Sequence, residues 1–473
     1  MKCKLQRIAI PDTHPFLNCK LDREKYASVL KTIVLTYREG CVLAVNGKWG
    51  TGKTTFVEMW AKYLELDNIH TLYFNAWEND FISDPIVGLL GELKKISSQK
   101  QTEDALLSVI NTAGKIVLKA APAIIKGVLK KYAGEEVIDV CADSIEEGAS
   151  LLKKEIDNYE EQRFCLKQFQ AELTKFVEDV CGEKPLVFIV DELDRCNPNY
   201  AVRVLERIKH LFSIPNIVFV LSIDKNQLSN SIRGYYGSDL IDSEEYLKRF
   251  IDIEYSLPEP NVDKFCNYLY EYYEFRAFFG TKERNEYFSR DDESESFLKI
   301  SQALFKHKKL TLRQIEKIFG NTRLSLKMFA YNNYVYPDLL FLLTYFRLCE
   351  SSIYEKICNR EYNAQELINQ IELIIPKYLL KKHETYGNHS SRFILFTIAR
   401  LLECYNCDEN GITHEKLMTD KVQNEDRTLT FTVQAIDQKT LIDALDWMET
   451  RQSGNFSLSH ILNKINLLEN FRN

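Results

Sequence analysis

At 473 residues, with 45% hydrophobic and 27% charged positions, the chain has the length of roughly three soluble domains. Its formal net charge of −7 argues against duplex nucleic-acid binding over the whole surface and leaves only local basic patches for that purpose. The twelve cysteines lack the framework of a small secreted domain, and the opening MKCKLQRIAIPD has no apolar signal core. Together these point to a reducing, cytoplasmic compartment.

Residues 21–39 (LDREKYASVLKTIVLTYRE) carry Tyr26, Val29, Leu30, Ile33, Val34 and Tyr37 at helical spacing. Asp22 is the expected N-cap, and residues 1–40 form an N-terminal helical segment. CVLAVN (41–46) reads as a short buried strand, FVEMWAKYLEL as a helix and TLYFNAW (71–77) as the second strand. Two further buried strands are expected in PLVFIVDE (185–192) and NIVFVLSID (216–224). A fifth lies in FIDIEYSLPEP (250–260), ended by its prolines. Strands alternating with helices over 41–260 predict an α/β domain with a parallel sheet covered on both faces.

A long excursion, 85–180, separates the second and third strands. Lys115, Lys119, Lys126 and Pro122 interrupt its apolar run, which argues against a transmembrane span. An amphipathic helical hairpin fits better, packing on its own domain or on a copy of itself, with peripheral contact to an acidic membrane surface as the lesser alternative. From 261 onward the pattern is helical, over 261–330 and again over 331–473. KERNEYFSRDDESESF (282–297) is expected to be an exposed loop and TLTFTVQAID (428–437) an isolated strand. The many aromatic residues here suit helix-packing cores better than base stacking. Cys404 and Cys407 in CYNC, followed by His414, have metal-ligand spacing, but without a second pair they read as ordinary thiols.

Gly47-Lys48-Trp49-Gly50-Thr51-Gly52-Lys53-Thr54 satisfies G-x-x-x-x-G-K-S/T between an expected strand and an expected helix. Glycines let backbone N–H groups converge on phosphate oxygens, and the following helix directs its positive end at them. Lys53 supplies charge to the β- and γ-phosphates, and the Thr54 hydroxyl can ligate Mg2+. Thr55 completes the nucleotide-binding set, and Trp49 either covers the nucleotide or packs on a neighbour. FIVDELDRC (188–196) places Asp191 at the end of a buried strand, where it can bind Mg2+ through water. Glu192 follows as the candidate to polarise the attacking water. Ser222 and Asp224, ending the next strand, are candidates to sense the γ-phosphate. Arg195, Arg249 and Arg313 are candidates to neutralise developing charge. Arg195 has a local ion pair with Asp194 as its alternative.

With these residues in hand, the chain resembles the KAP family of P-loop NTPases. The resemblance covers about residues 10–325 and rests on an ordered set: LDREKYASVL, VNGKWGTGKTTF with its Trp49, YFNAW, VDELDRC, LSIDKNQL, YLKRFIDIEYSLPEP and LTLRQIEKI. It implies a sheet of the additional-strand type, order 5-1-4-3-2, a helical lid over 261–330, and ATP with Mg2+ as ligands. Many members carry transmembrane helices between the two nucleotide motifs, a pattern from which the lysines and proline of 85–180 depart. Glu192 stands where relatives often have Asp. Bacterial members are associated with phage exclusion. The function expected first is an ATP-hydrolysing, oligomerising switch that controls a protein effector. A nucleic-acid-dependent motor or loader, using KHKKLTLRQ (306–314) and KYLLKKH (377–383), comes second. An ATP-binding scaffold without turnover comes third.

Overall fold

Five strands, β1 (Cys41–Asn46), β2 (Thr71–Asn75), β3 (Leu186–Asp191), β4 (Ile217–Ile223) and β5 (Ile253–Ser256), pair in parallel in the order β2-β3-β4-β1-β5. This is the expected order, read from the opposite edge. The structure is a computed structural model. It describes residues 8–37, 40–82, 84–97, 100–120, 148–209, 214–286, 290–330, 333, 335–375, 390–407, 440–445 and 457–470. These fall into two units, Ile8–Glu259 and a second that begins at Pro260.

The three central strands are buried on both faces, which is why their sequences run continuously apolar instead of alternating. On one face Leu43, Val45, Val187, Ile189, Val218 and Val220 meet α1 (Glu24–Thr36) and α2 (Lys53–Glu65) through Leu30, Val34, Phe56 and Trp60. On the other, Val42, Ala44, Phe188, Val190, Phe219 and Leu221 meet α3 (Pro85–Leu93) and the helix Pro198–Lys209. The edge strands β2 and β5 alternate in burial. β2 stops two residues before its apolar run does, because the Asn75 carboxamide oxygen accepts the N–H groups of Trp77 and Glu78 (3.1 Å each) and turns the chain.

The excursion forms α4 (Lys100–Ala120) and the helix Gly148–Cys181, which pack on each other. Leu106, Val109 and Ala113 of the first and Phe169, Leu173 and Phe176 of the second join the core on the α3 side of the sheet. Among the described residues, these apolar side chains of the two helices are therefore spent on their own domain. Pro122, Lys126 and the rest of 121–147 lie outside the described residues, among which no helix is long and apolar enough to cross a membrane.

Taken alone, the second unit is built on aromatic packing. Phe297 sits 4.6 Å from Phe275 and 5.2 Å from Phe341, ring centre to ring centre, and Phe305 lies 5.5 Å from Phe341. Phe297 also corrects the expectation of a loop over 282–297. Short helix Lys282–Asn285 and long helix Arg290–Lys308 take up most of that stretch. The acidic run lies at the long helix's start, where the macrodipole favours it, and Phe297 is fully buried. Within KHKKLTLRQ, Lys306 pairs with Asp263 (2.6 Å) and Lys308 with Glu350 (2.7 Å). Residues 377–383 and 428–437 fall outside the described residues, as does His414. Cys404 is buried, and burial with Cys407 beside it pushes its thiol up.

Trp60 is completely buried on α2 and donates its indole N–H to the Ala27 carbonyl of α1 (3.2 Å). Trp60→Ala is expected to destabilise the first unit by about 3–5 kcal/mol. Urea denaturation followed by circular dichroism should show the lowered midpoint.

Candidate nucleotide site

The phosphate loop leaves β1 at Asn46 and enters α2 at Lys53. Gly47 N–H donates to the Ile223 carbonyl of β4 (3.0 Å), which fixes where the loop departs. Gly50 (φ 75°) and Gly52 (φ 82°) lie in the left-handed region, which no β-carbon tolerates cheaply. Lys53 is 8% exposed, and its ammonium donates to the carbonyls of Gly47 and Lys48. Burial lowers its pKa, while Asp194, Asp224 and Asp191 oppose that shift. Thr51 hydroxyl donates to the Lys48 carbonyl (2.8 Å). Those of Thr54 and Thr55, both half-buried, make no hydrogen bond among the described residues.

Sheet register brings the acidic partners to this loop. Asn75, Asp191, Ser222 and Val45 stand in one row across β2, β3, β4 and β1. Asp191 is 1% exposed; its Oδ2 accepts the Tyr73 hydroxyl (2.8 Å) and its Oδ1 the Glu192 N–H (2.9 Å). Burial beside Asp191 raises the Tyr73 phenol, which stays a donor. Glu192 takes the left-handed conformation (φ 58°), an uncommon one for a glutamate, at the point where the strand turns into a short 3-10 helix. Its Oε1 pairs with Arg195 (2.7 Å) and its Oε2 accepts from Asn75 (3.3 Å). Burial raises the Glu192 pKa, with Arg195 pulling against it.

Ser222 lies on the same sheet face as Asp191; its hydroxyl is fully buried and has no partner among the described residues. Asp224 is engaged elsewhere. It accepts the Trp49 backbone N–H (3.1 Å) and caps the helix Lys225–Tyr236 through Gln227 N–H (3.4 Å). Its own N–H donates to Asp194 (3.0 Å), which also accepts the Trp49 indole N–H. The loop tryptophan, 41% exposed, is thus pinned at its backbone and at its ring.

The local ion pair expected between Arg195 and Asp194 is not formed. Arg195 turns to Glu192 and lies 5.8 Å from the Trp77 ring centre, because Asp194 is buried and already committed to two N–H donors. Arg249 is exposed at the end of the helix Ser243–Lys248, without a side-chain partner among the described residues. Arg313 is exposed in the first turn of Leu312–Leu326, within the second unit.

Asp22 does not cap α1. It takes φ 58°, and Arg23 occupies the N-cap position without capping by its side chain. The Arg23 guanidinium is buried and donates to the carbonyls of Thr51 (2.7 Å) and Gly52 (3.0 Å), tying the N-terminal helix to the phosphate loop. Burial pushes its pKa down to about 10, so it stays charged near neutrality. Sequence reasoning missed this contact, along with Tyr73, Asn75 and Asp194. The one available signal was position: a hydroxyl and an amide at the end of a strand, and a third acid three residues after Asp191.

A model of the KAP family P-loop domain matches residues 23–328. The phage T7 exclusion protein of Escherichia coli (strain K12) is 19% identical over 246 residues, 47% of this chain and 30% of that protein. The chain therefore spans under a third of this curated relative's length. Drosophila ORC bound to DNA aligns with 97% of this chain and 88% of its own at 13% identity and a TM-score of 0.30, a likeness too slight to bear on function.

Trp49→Phe and Asp194→Asn are expected to be non-additive, with a coupling of about 0.5–3 kcal/mol. Denaturant unfolding of the wild type, both single variants and the double variant measures it. Additive costs would show that the indole–carboxylate contact contributes nothing.

Proposed function

This chain belongs to the KAP family of P-loop NTPases, and from that premise we propose that it is an Mg2+-dependent ATPase acting as an oligomerising switch over a protein effector. The observation that carries the reading is the row Asp191–Ser222 beside the glycine cradle. There a buried carboxylate and a buried, unpartnered hydroxyl face the side of the sheet on which α2 begins. A buried hydroxyl without a partner costs about 1–3 kcal/mol, and a bound group with a matching polar atom would offset that cost. The donor set suits a hard cation: oxygen from Thr54 and Asp191, with each Asp191 oxygen holding one protein donor among the described residues. When bound, Mg2+ supplies charge that offsets the charge of the β- and γ-phosphates.

The chain's own residues supply the remainder. Lys53 exchanges its two backbone carbonyls for phosphate oxygens, and the Gly50–Gly52 backbone gives the loop its concavity. Glu192 is the base that takes a proton from the attacking water at a carboxylate oxygen, and its raised pKa suits that task. In this state Arg195 and Asn75 each take one site on Glu192, one per carboxylate oxygen, and the second site on each oxygen is the one proposed to accept from the attacking water. Arg249 is the arginine proposed to reach a neighbouring copy, and Arg313 the one proposed to act from a helical lid over 261–330.

Likeness to a phage exclusion protein supports placing the switch in defence against phage. No separate observation favours a nucleic-acid motor or a scaffold without turnover.

Glu192→Gln is expected to keep ATP binding and to slow phosphate release by about 10²-fold or more. Turnover at the wild-type rate would show that Glu192 is not the base. Light scattering with ATP should show the variant held in a larger assembly. In cells, plaque counts should rise on a strain carrying the variant in place of the wild type, and equal counts would detach the ATPase from phage defence.

A further inference from the structure

We infer that Tyr73 is a positioning residue, holding the Asp191 carboxylate in the one orientation in which it can serve a nucleotide-bound divalent cation. This role of Tyr73 rests on the proposed part of Asp191 in Mg2+ binding and refines it.

A carboxylate ending a strand turns easily about its last torsion, whose wells are broad. Two donors restrain this one. Glu192 N–H, at 2.9 Å from Oδ1, belongs to the next residue and moves with Asp191. The Tyr73 hydroxyl, at 2.8 Å from Oδ2, comes from a different strand, with Tyr73 opposite Ile189 and Asn75 opposite Asp191 in the ladder. From two residues back on the same face, only a long side chain reaches that far. Among the described residues Tyr73 is the one side chain that hydrogen-bonds Asp191, since neighbouring Ser222 makes no hydrogen bond there.

The ring itself packs against the core that contains Val187 and Ile189. A phenylalanine would fill that place equally well, so packing does not account for the hydroxyl. Each ionised carboxylate oxygen has about two lone-pair sites. Among the described residues one donor on each oxygen leaves one site on each, and the Tyr73 bond fixes the direction in which those sites point.

Tyr73→Phe tests this by equilibrium binding of a fluorescent ATP analogue, titrated with Mg2+ and repeated in EDTA, with thermal unfolding alongside. The expected result is unchanged binding in EDTA, an Mg2+ midpoint raised about threefold to tenfold, and a melting temperature within about 2 °C of the wild type. An Mg2+ midpoint equal to the wild type's would overturn the inference, as would equal weakening with and without the metal, which marks a merely structural role. Asp191→Ala separates the two levels. If wild-type binding responds to Mg2+ and Asp191→Ala abolishes the response, the metal-binding role of Asp191 stands and Tyr73 is judged by its own midpoint. If the wild type ignores Mg2+, that role falls and takes the one assigned to Tyr73 with it.

Discussion

The buried carboxylate of Asp194 is the joint on which the nucleotide site depends. It accepts the Trp49 indole N–H from the phosphate loop and the Asp224 N–H from the end of β4, while Asp224 returns a bond to the Trp49 backbone. Three segments far apart in sequence are held by one closed set of hydrogen bonds. Burying an ionised carboxylate is costly unless it is paired and hydrogen-bonded. Its burial raises the Asp194 pKa, against which Lys53, Trp49 and Asp224 act. Removing any one partner would leave that charge underserved. This accounts for a tryptophan in a loop where small residues would suffice for phosphate contact.

From this joint the electrostatics of the site radiate. Lys53 sits among three carboxylates, which oppose the lowering of its pKa by burial. Glu192 is held by a cation and an amide at a backbone angle that few glutamates adopt. Arg23 fastens the far side of the loop by its carbonyls, so that both flanks of the cradle are anchored from outside it.

Much of this was legible before the structure. Continuous apolar runs marked β1, β3 and β4 because strands buried on both faces have no polar side to display. The phosphate loop was legible because glycines with positive φ have few substitutes. What escaped notice was pairing. Nothing in a linear reading distinguishes an arginine that caps its own helix from Arg23, which reaches a loop about thirty residues on. Tyr73 looked like strand core, and its ring is core; only the register of β2 against β3 reveals where its hydroxyl goes. The acidic stretch before Phe297 looked like a solvated loop because of its polar composition, which equally suits the start of a helix that buries Phe297.

The sheet order has a consequence for how the molecule comes into being. β1 is made well before its neighbours β4 and β5, and the Trp49–Asp224 bond spans 175 residues. No early portion of the chain can assemble a phosphate site by itself. The helical excursion must be made before β3 can lie between β2 and β4. Contacts of such long range slow folding, since loop closure is met before it is rewarded. The nascent phosphate loop thus stays without its acidic partners until nearly the whole first unit has left the ribosome.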